Sequence, residues 1–179
     1  MAEEPIFYWD ACIFLEHLRE EPVSPQKAEA IRTILQDNKD HKNRIITSAI
    51  THVEVLPKKL TARDAQRENE YWDYYDGRWF VDIEVTRPII NLARDIKDYY
   101  FVEGDPMNGV AHKMLSTGDA IHLATAIVAS VEEFHTRDKR RSGGNVPLLS
   151  LPECSANGKI AGQWSLKIIS PEDDQASLF

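Results

Sequence analysis

Apolar residues recur along this chain in two periods. The run Ile6-Phe7-Tyr8-Trp9 predicts a first strand that ends at Asp10, and a short helix follows through Leu15 and Leu18. Ser24-Pro25 predicts an N-cap with proline at the first helical position, after which Ala28, Ile31, Ile34 and Leu35 fall at helical spacing. The polar stretch Gln36 to Asn43 leads into a second strand, Arg44 to Thr47. Ser48 is expected to cap a helix that carries Thr51 and Glu54, and Pro57 to end or bend it. Thr61 and Asp64 have the spacing of a capping box, and Gly77 suits the C′ position of the helix they open. Trp79, Val81, Ile83 and Val85 alternate as a third strand. Thr86-Arg87-Pro88 then opens an amphipathic helix with Ile89, Leu92, Ala93 and Ile96 on one face, broken at Gly104-Asp105-Pro106. A small-residue-rich helix is expected over Asp119 to Ser130, a fourth strand over Glu133 to Thr136 and a last strand over Leu166 to Ile169. The stretch 142–162 holds Gly143-Gly144, Pro147 and Pro152 and reads as loop.

Strands that alternate with helices predict an α/β fold built on a parallel sheet. Sites in such sheets form beyond the carboxyl ends of the strands. The pattern contains no internal repeat, low-complexity segment or interdomain linker.

Composition narrows the class. With 179 residues, 42% hydrophobic and 28% charged, the chain suits one soluble domain with a full core. Its apolar stretches are too short to span a membrane, and Met1-Ala2-Glu3-Glu4-Pro5 lacks the basic and apolar regions of a signal peptide. Cys12 and Cys154 form no framework and no metal-ligand pair, and Cys12 is expected as a buried thiol. A reducing, cytoplasmic setting is the simplest reading. The net charge of −8 argues against passive nucleic-acid binding, although catalytic carboxylates offset by metal account for part of such an excess. Two basic clusters stand out. Lys58-Lys59 with Arg63 and Arg67 reads first as a solvated surface, while Arg137 with Lys139, Arg140 and Arg141 reads as surface, with a phosphate contact close behind because the cluster adjoins Asp138.

Four acids change the picture most. Asp10, Glu54, Asp119 and Asp138 each stand at the end of an apolar run or beside a predicted strand end. A carboxylate next to the core is costly unless it is paired or binds a cation. Four brought together repel one another and resist ionising, and a divalent metal resolves the conflict. Hard oxygen ligands suit Mg²⁺ or Mn²⁺. Taken singly, each acid reads as a helix cap or a surface residue; the set carries the metal reading. His122, three residues after Asp119, reads as a packed, hydrogen-bonded histidine ahead of a catalytic base, and the histidines lack zinc-helix spacing. Trp72, Tyr74 and Tyr75 read as core or partner packing ahead of base stacking.

The segments Trp9-Asp10-Ala11-Cys12-Ile13-Phe14-Leu15, Thr47-Ser48-Ala49-Ile50-Thr51-His52-Val53-Glu54-Val55, Gly118-Asp119-Ala120-Ile121-His122-Leu123-Ala124-Thr125-Ala126 and His135-Thr136-Arg137-Asp138-Lys139 are each weak signals. In this order and spacing the chain resembles PIN-domain proteins, particularly the VapC-like ribonuclease toxins of toxin–antitoxin pairs. The resemblance implies a three-layer α/β/α sandwich with a central five-stranded parallel sheet. It also implies a single PIN-like nuclease domain over residues 1–171 with 172–179 as a C-terminal tail. The implied activity is Mg²⁺- or Mn²⁺-dependent cleavage of RNA by a toxin. The implied partners are a small antitoxin protein and a second copy in a homodimer. The acidic positions of the family fall on Asp10, Glu54, Asp119 and Asp138, and Thr136 matches a hydroxyl position near the last acid. Ala11 and Cys12 depart from the Ser or Thr that many members carry after the first Asp. Competing readings are an RNA-processing or single-strand DNA nuclease, and a catalytically weak PIN module that binds nucleic acid or a partner. A phosphotransfer receiver domain fits less well, because Lys167 lies within the last strand rather than after it. A phosphohydrolase with Asp-x-Asp is disfavoured by Ala11-Cys12.

Overall fold

The computed structural model describes residues 4–18, 24–56, 59, 65–76, 80–139, 144–151, 160 and 163–172. The strands β1 (Ile6–Trp9), β2 (Arg44–Ser48), β3 (Phe80–Ile83), β4 (Glu133–His135) and β5 (Lys167–Ile169) form one five-stranded sheet. Every neighbouring pair is parallel, and the order is β3-β2-β1-β4-β5. The helices are α1 (Ala11–His17), α2 (Pro25–Lys39), α3 (Thr51–Glu54), α4 (Ala65–Asp76), α5 (Arg87–Tyr99) and α6 (Thr117–Val128). Among the described residues no helix is long and apolar enough to cross a membrane.

The period of two along each strand builds three layers. In register, Ile46, Tyr8, Phe134 and Ile168 form a row across the sheet. That row packs with Ile89, Ala93 and Ile96 of α5 and Leu123 and Ala124 of α6. The adjacent positions Ile45, Trp9 and Phe80 turn to the other face, against Ile13, Phe14, Ile31, Leu35, Tyr71 and Tyr74. The helices therefore sit on both faces of the sheet in the PIN-like α/β arrangement. Tyr8 and Trp9 are fully buried, one on each side, so two consecutive aromatics anchor both cores.

Several local expectations shift. Ser24 does cap α2, accepting from the Lys27 amide, with Pro25 at the first helical position. Ser48 caps nothing: it is the last residue of β2, it is buried, and the N-cap position of α3 is Ile50. The longer strand consumes the serine before the helix can use it. Helix α6 starts two residues earlier than its apolar pattern implies, because Ser116 accepts from the Asp119 amide and caps it. Val81, one of the alternating residues that predict the third strand, is exposed; β3 is an edge strand, so its alternation is only partly covered. Helix α5 ends at Tyr99, before the Gly104-Asp105-Pro106 breaker. Within 142–162, residues 144–151 are not slack loop. Leu148–Ser150 forms a 3₁₀ turn, and Leu148, Leu151 and Ile160 are buried in the α5–α6 core. Pro57, Leu60, Thr61, Asp64, Gly77, Trp79 and Cys154 lie outside the described residues, as do Lys58, Arg63, Arg140, Arg141 and most of the tail from residue 173.

Candidate metal centre

In a sheet of order β3-β2-β1-β4-β5, the chain leaves β1 toward β2 on one side, and β4 leads to β5 on the other. The crevice between the carboxyl ends of β1 and β4 is the switch point where such folds place ligands. Asp10, Glu54, Asp119 and Asp138 all line one open pocket there, about 420 Å³ in volume.

Each acid arrives by a different device. Asp10 immediately follows β1 and occupies the N-cap position of α1, yet its carboxylate caps nothing and stays available to the pocket. Its Oδ2 accepts from the Thr136 hydroxyl at 2.7 Å and from the Cys12 thiol at 3.1 Å. Thr136, the residue after β4, also accepts from the Asp138 amide at 3.1 Å, so one hydroxyl ties the first and last acids together. Asp138 is held further by the 3₁₀ turn: its Oδ2 accepts from the Leu148 amide at 2.9 Å, and its carbonyl from the Leu149 amide at 3.0 Å. The segment read as loop thus fixes an acidic side chain. Glu54 ends α3 and crosses to α6, where Gly118 makes room for it. A Cβ at Gly118 would lie 2.6 Å from Glu54 Oε1. Asp119 stands in the first turn of α6, where the helix dipole favours negative charge.

His122 joins the acids from below. It is buried, its Nε2 lies 2.8 Å from Glu54 Oε2 and 3.8 Å from Asp10 Oδ1, and its Nδ1 lies 2.6 Å from the Tyr8 hydroxyl. An ionised Glu54 can only accept, so Nε2 carries the hydrogen and donates. Where the ring is neutral its Nδ1 accepts the Tyr8 O–H; where it is protonated Nδ1 donates to the Tyr8 oxygen instead. Ligand atoms of Asp10, Glu54 and His122 lie within 4.8 Å of one another. A nitrogen that donates to Glu54 has no lone pair to offer a cation, so His122 holds the carboxylate rather than ligating beside it. Asp119 and Asp138 share the pocket but not this tightest group.

The electrostatics carry the strain of gathered acids. Burial pushes the Asp119 carboxyl up to about 6, and the charges of Asp10 and Asp138 add to the shift, against opposing effects of Ser116 and His122. Burial works against a charged His122, but Glu54, Asp10 and Asp119 outweigh it, and the ring titrates above its ordinary value. Burial, then Asp10, raises the Cys12 thiol well above the usual range, so it stays protonated and acts as a donor. Cys12 therefore does the work of the missing hydroxyl after the first acid. Its Sγ also accepts from the Arg137 amide at 3.0 Å.

Arg137, read as surface or as a phosphate contact, lines the pocket but is largely tied up in the fold. Its Nε donates to Glu16 at 2.8 Å, and it pairs with Glu172 and Ser170, so it is committed to holding α1 near the end of β5. Lys59 is exposed, as its cluster was expected to be, and also lines the pocket. Trp72 stacks on His52 at 5.0 Å and remains 44% exposed, whereas Tyr74 is buried against Phe80.

The residues present fit a hard divalent cation: oxygen donors predominate, the pocket is open, and Asp119 resists ionising without a counter-charge. Comparison with known families matches the PIN domain to residues 7–142. No curated protein matches the chain significantly.

Proposed function

The chain belongs to the PIN domain family of metal-dependent nucleases, and from that premise we propose that it is an endoribonuclease that hydrolyses RNA phosphodiester bonds using Mg²⁺ or Mn²⁺. The observation that carries this reading is the convergence of Asp10, Glu54, Asp119 and Asp138 on one open pocket. In this reading the four carboxylates hold the cation, and Thr136 orients Asp10 and Asp138. The cation, when bound, stabilises charge at the cleaved phosphodiester and acidifies the attacking water. The chain's own residues preorganise the rest. His122 and Tyr8 fix Glu54, Cys12 and Thr136 fix Asp10, and the Leu148 amide fixes Asp138. Lys59 supplies a positive charge at the rim for an incoming phosphate.

We further propose that the protein acts in the cytoplasm as the toxin of a toxin–antitoxin pair and assembles as a homodimer. Exposed Val53 and Leu56, which bracket Glu54 in sequence, and exposed Trp72, stacked on His52, support an inhibitory protein partner. The decisive experiment is cleavage of structured and unstructured RNA, and of single-strand DNA, with Mg²⁺, Mn²⁺ or chelator. Wild type should cut RNA only with metal, and a folded Asp10→Asn variant should not. Preference for DNA would reassign the substrate. Metal-independent RNA binding without turnover would make the chain a binding module.

A further inference from the structure

The connection from α5 to α6 is a braced projection. Val102 and Lys113 exchange backbone hydrogen bonds of 2.8 and 2.9 Å, and the Val110 amide donates to the Asp105 carbonyl at 2.8 Å. The Asp105 side chain accepts from the Met107 and Asn108 amides, and Gly109 takes the left-handed φ of 70° that the turn requires. Gly104 passes so close to the returning strand that a Cβ there would lie 2.4 Å from the Val110 carbonyl. This bracing presents an apolar tip to solvent: Met107 is 96% exposed, Val102 57% and Val110 50%.

Beside the projection, α5 and α6 leave an apolar groove of about 350 Å³ whose walls include Ile90, Ala93, Met114 and Ile121. Phe101 borders both the groove and the projection, so knob and hole are contiguous. Their charges are opposite. Glu103 and Asp105 precede the tip and Lys113 stands at the base of the projection, leaving it net negative. Arg94 and Lys97 line the groove together with Asp98, leaving it net positive. Arg94 forms no ion pair among the described residues, and Lys97 donates to the Thr117 hydroxyl rather than to an acid.

We propose that the Pro106–Met107 tip of one copy seats in the α5–α6 groove of a second copy, and reciprocally, around a two-fold axis. A knob and a matching hole on one contiguous surface are what an isologous interface requires, since each patch meets its own counterpart. Opposite charge at tip and groove fixes the register and selects a second copy of this chain over a generic apolar partner. The inference rests on the homodimer reading above and gives it a specific surface.

The test is oligomeric state by light scattering and sedimentation on the full chain. Wild type should be dimeric. Met107→Asp, at a position so exposed that folding should survive, should weaken the dimer about a hundredfold, the loss of a central anchor. Arg94→Glu places acid against an acidic tip, and Glu103→Arg places base against a basic groove, so each alone should dissociate. Mixed one to one, those two variants meet in complementary pairs at both contacts and should recover the dimer. Circular dichroism checks that each variant is folded. A monomeric wild type sinks the homodimer reading along with this surface. A dimer indifferent to Met107→Asp sinks the surface alone. Single variants that dissociate but fail to recover on mixing overturn the tip-in-groove pairing.

Discussion

Gly118 matters for the carbon it lacks. Its backbone needs no left-handed conformation, so alanine there is conformationally free and favours the helix by up to about 1 kcal/mol. The added Cβ would nevertheless collide with Glu54 Oε1 at 2.6 Å, and the flexible carboxylate, not the backbone, has to give way. Gly118→Ala should therefore keep or raise the melting temperature while lowering metal-dependent cleavage by on the order of tenfold, the scale of a displaced metal-site partner. Thermal melts and steady-state kinetics on the same preparation check this; unchanged kcat means Glu54 is not required where it sits. At this scale the sequence revealed the four acids, because charge beside an apolar run is conspicuous. It concealed their supports. Tyr8 reads as a strand residue and His122 as a packed, hydrogen-bonded histidine, which it is; the identity of the partner stays hidden, because their 2.6 Å contact spans 114 residues. Cys12 reads as a buried thiol; it is half-buried and donates to Asp10. Nothing in local pattern signals such pairings.

Among the elements, the parallel strands and the amphipathic α5 were legible because period and length agree. The ends were less so, because two hydroxyls compete for cap positions. Ser48 was absorbed by β2, while Ser116 capped α6 and so put Asp119 in its first turn. The turn Leu148–Ser150 was hidden by flanking glycine and proline, although its own apolar residues belong to the core. The contact between β1 and α6 makes a test at this scale. Tyr8→Phe keeps the ring in the sheet and removes only the hydroxyl on His122 Nδ1. Leaving that buried nitrogen unpaired should cost about 1–3 kcal/mol. If the pair also orients Glu54, kcat should fall with KM unchanged, beyond the loss explained by unfolded protein. A change confined to stability would limit Tyr8 to packing. Helix α4 offers a second test. Trp72 lies exposed on His52, two residues before Glu54. Hydrogen exchange across residues 65–76 should slow in a complex with an inhibitory protein. Unchanged exchange there, with cleavage inhibited, would put the inhibitor elsewhere.

For the whole molecule, the acid cluster sets stability against pH. Asp119 has an ordinary value of 3.8 and is raised to about 6 in the fold, by burial first and then by Asp10 and Asp138. The folded state thus holds its proton more tightly than the unfolded state. Stability from this group is greatest below 3.8, falls as pH rises toward 6 and is flat beyond. His122 acts in the same direction over a later window, because its raised value gives stability that is complete below 6.5 and lost as pH climbs through the higher folded value. Without metal, the protein should therefore weaken between about pH 4 and neutrality, with at most about 3 kcal/mol of the change belonging to Asp119. Partial exposure of that carboxyl trims the figure. Asp119→Asn removes the ionisation and should flatten the early part of the slope, making the variant more stable than wild type at neutral pH in chelator. Saturating Mn²⁺ should reverse the order, because binding to the folded state stabilises it and the asparagine weakens that binding. Denaturant melts of both proteins across this range, with chelator and with metal, decide the matter. Parallel curves under both conditions would mean that Asp119 neither carries the repulsion nor holds the cation, and the reversal can occur only if the same carboxylate does both.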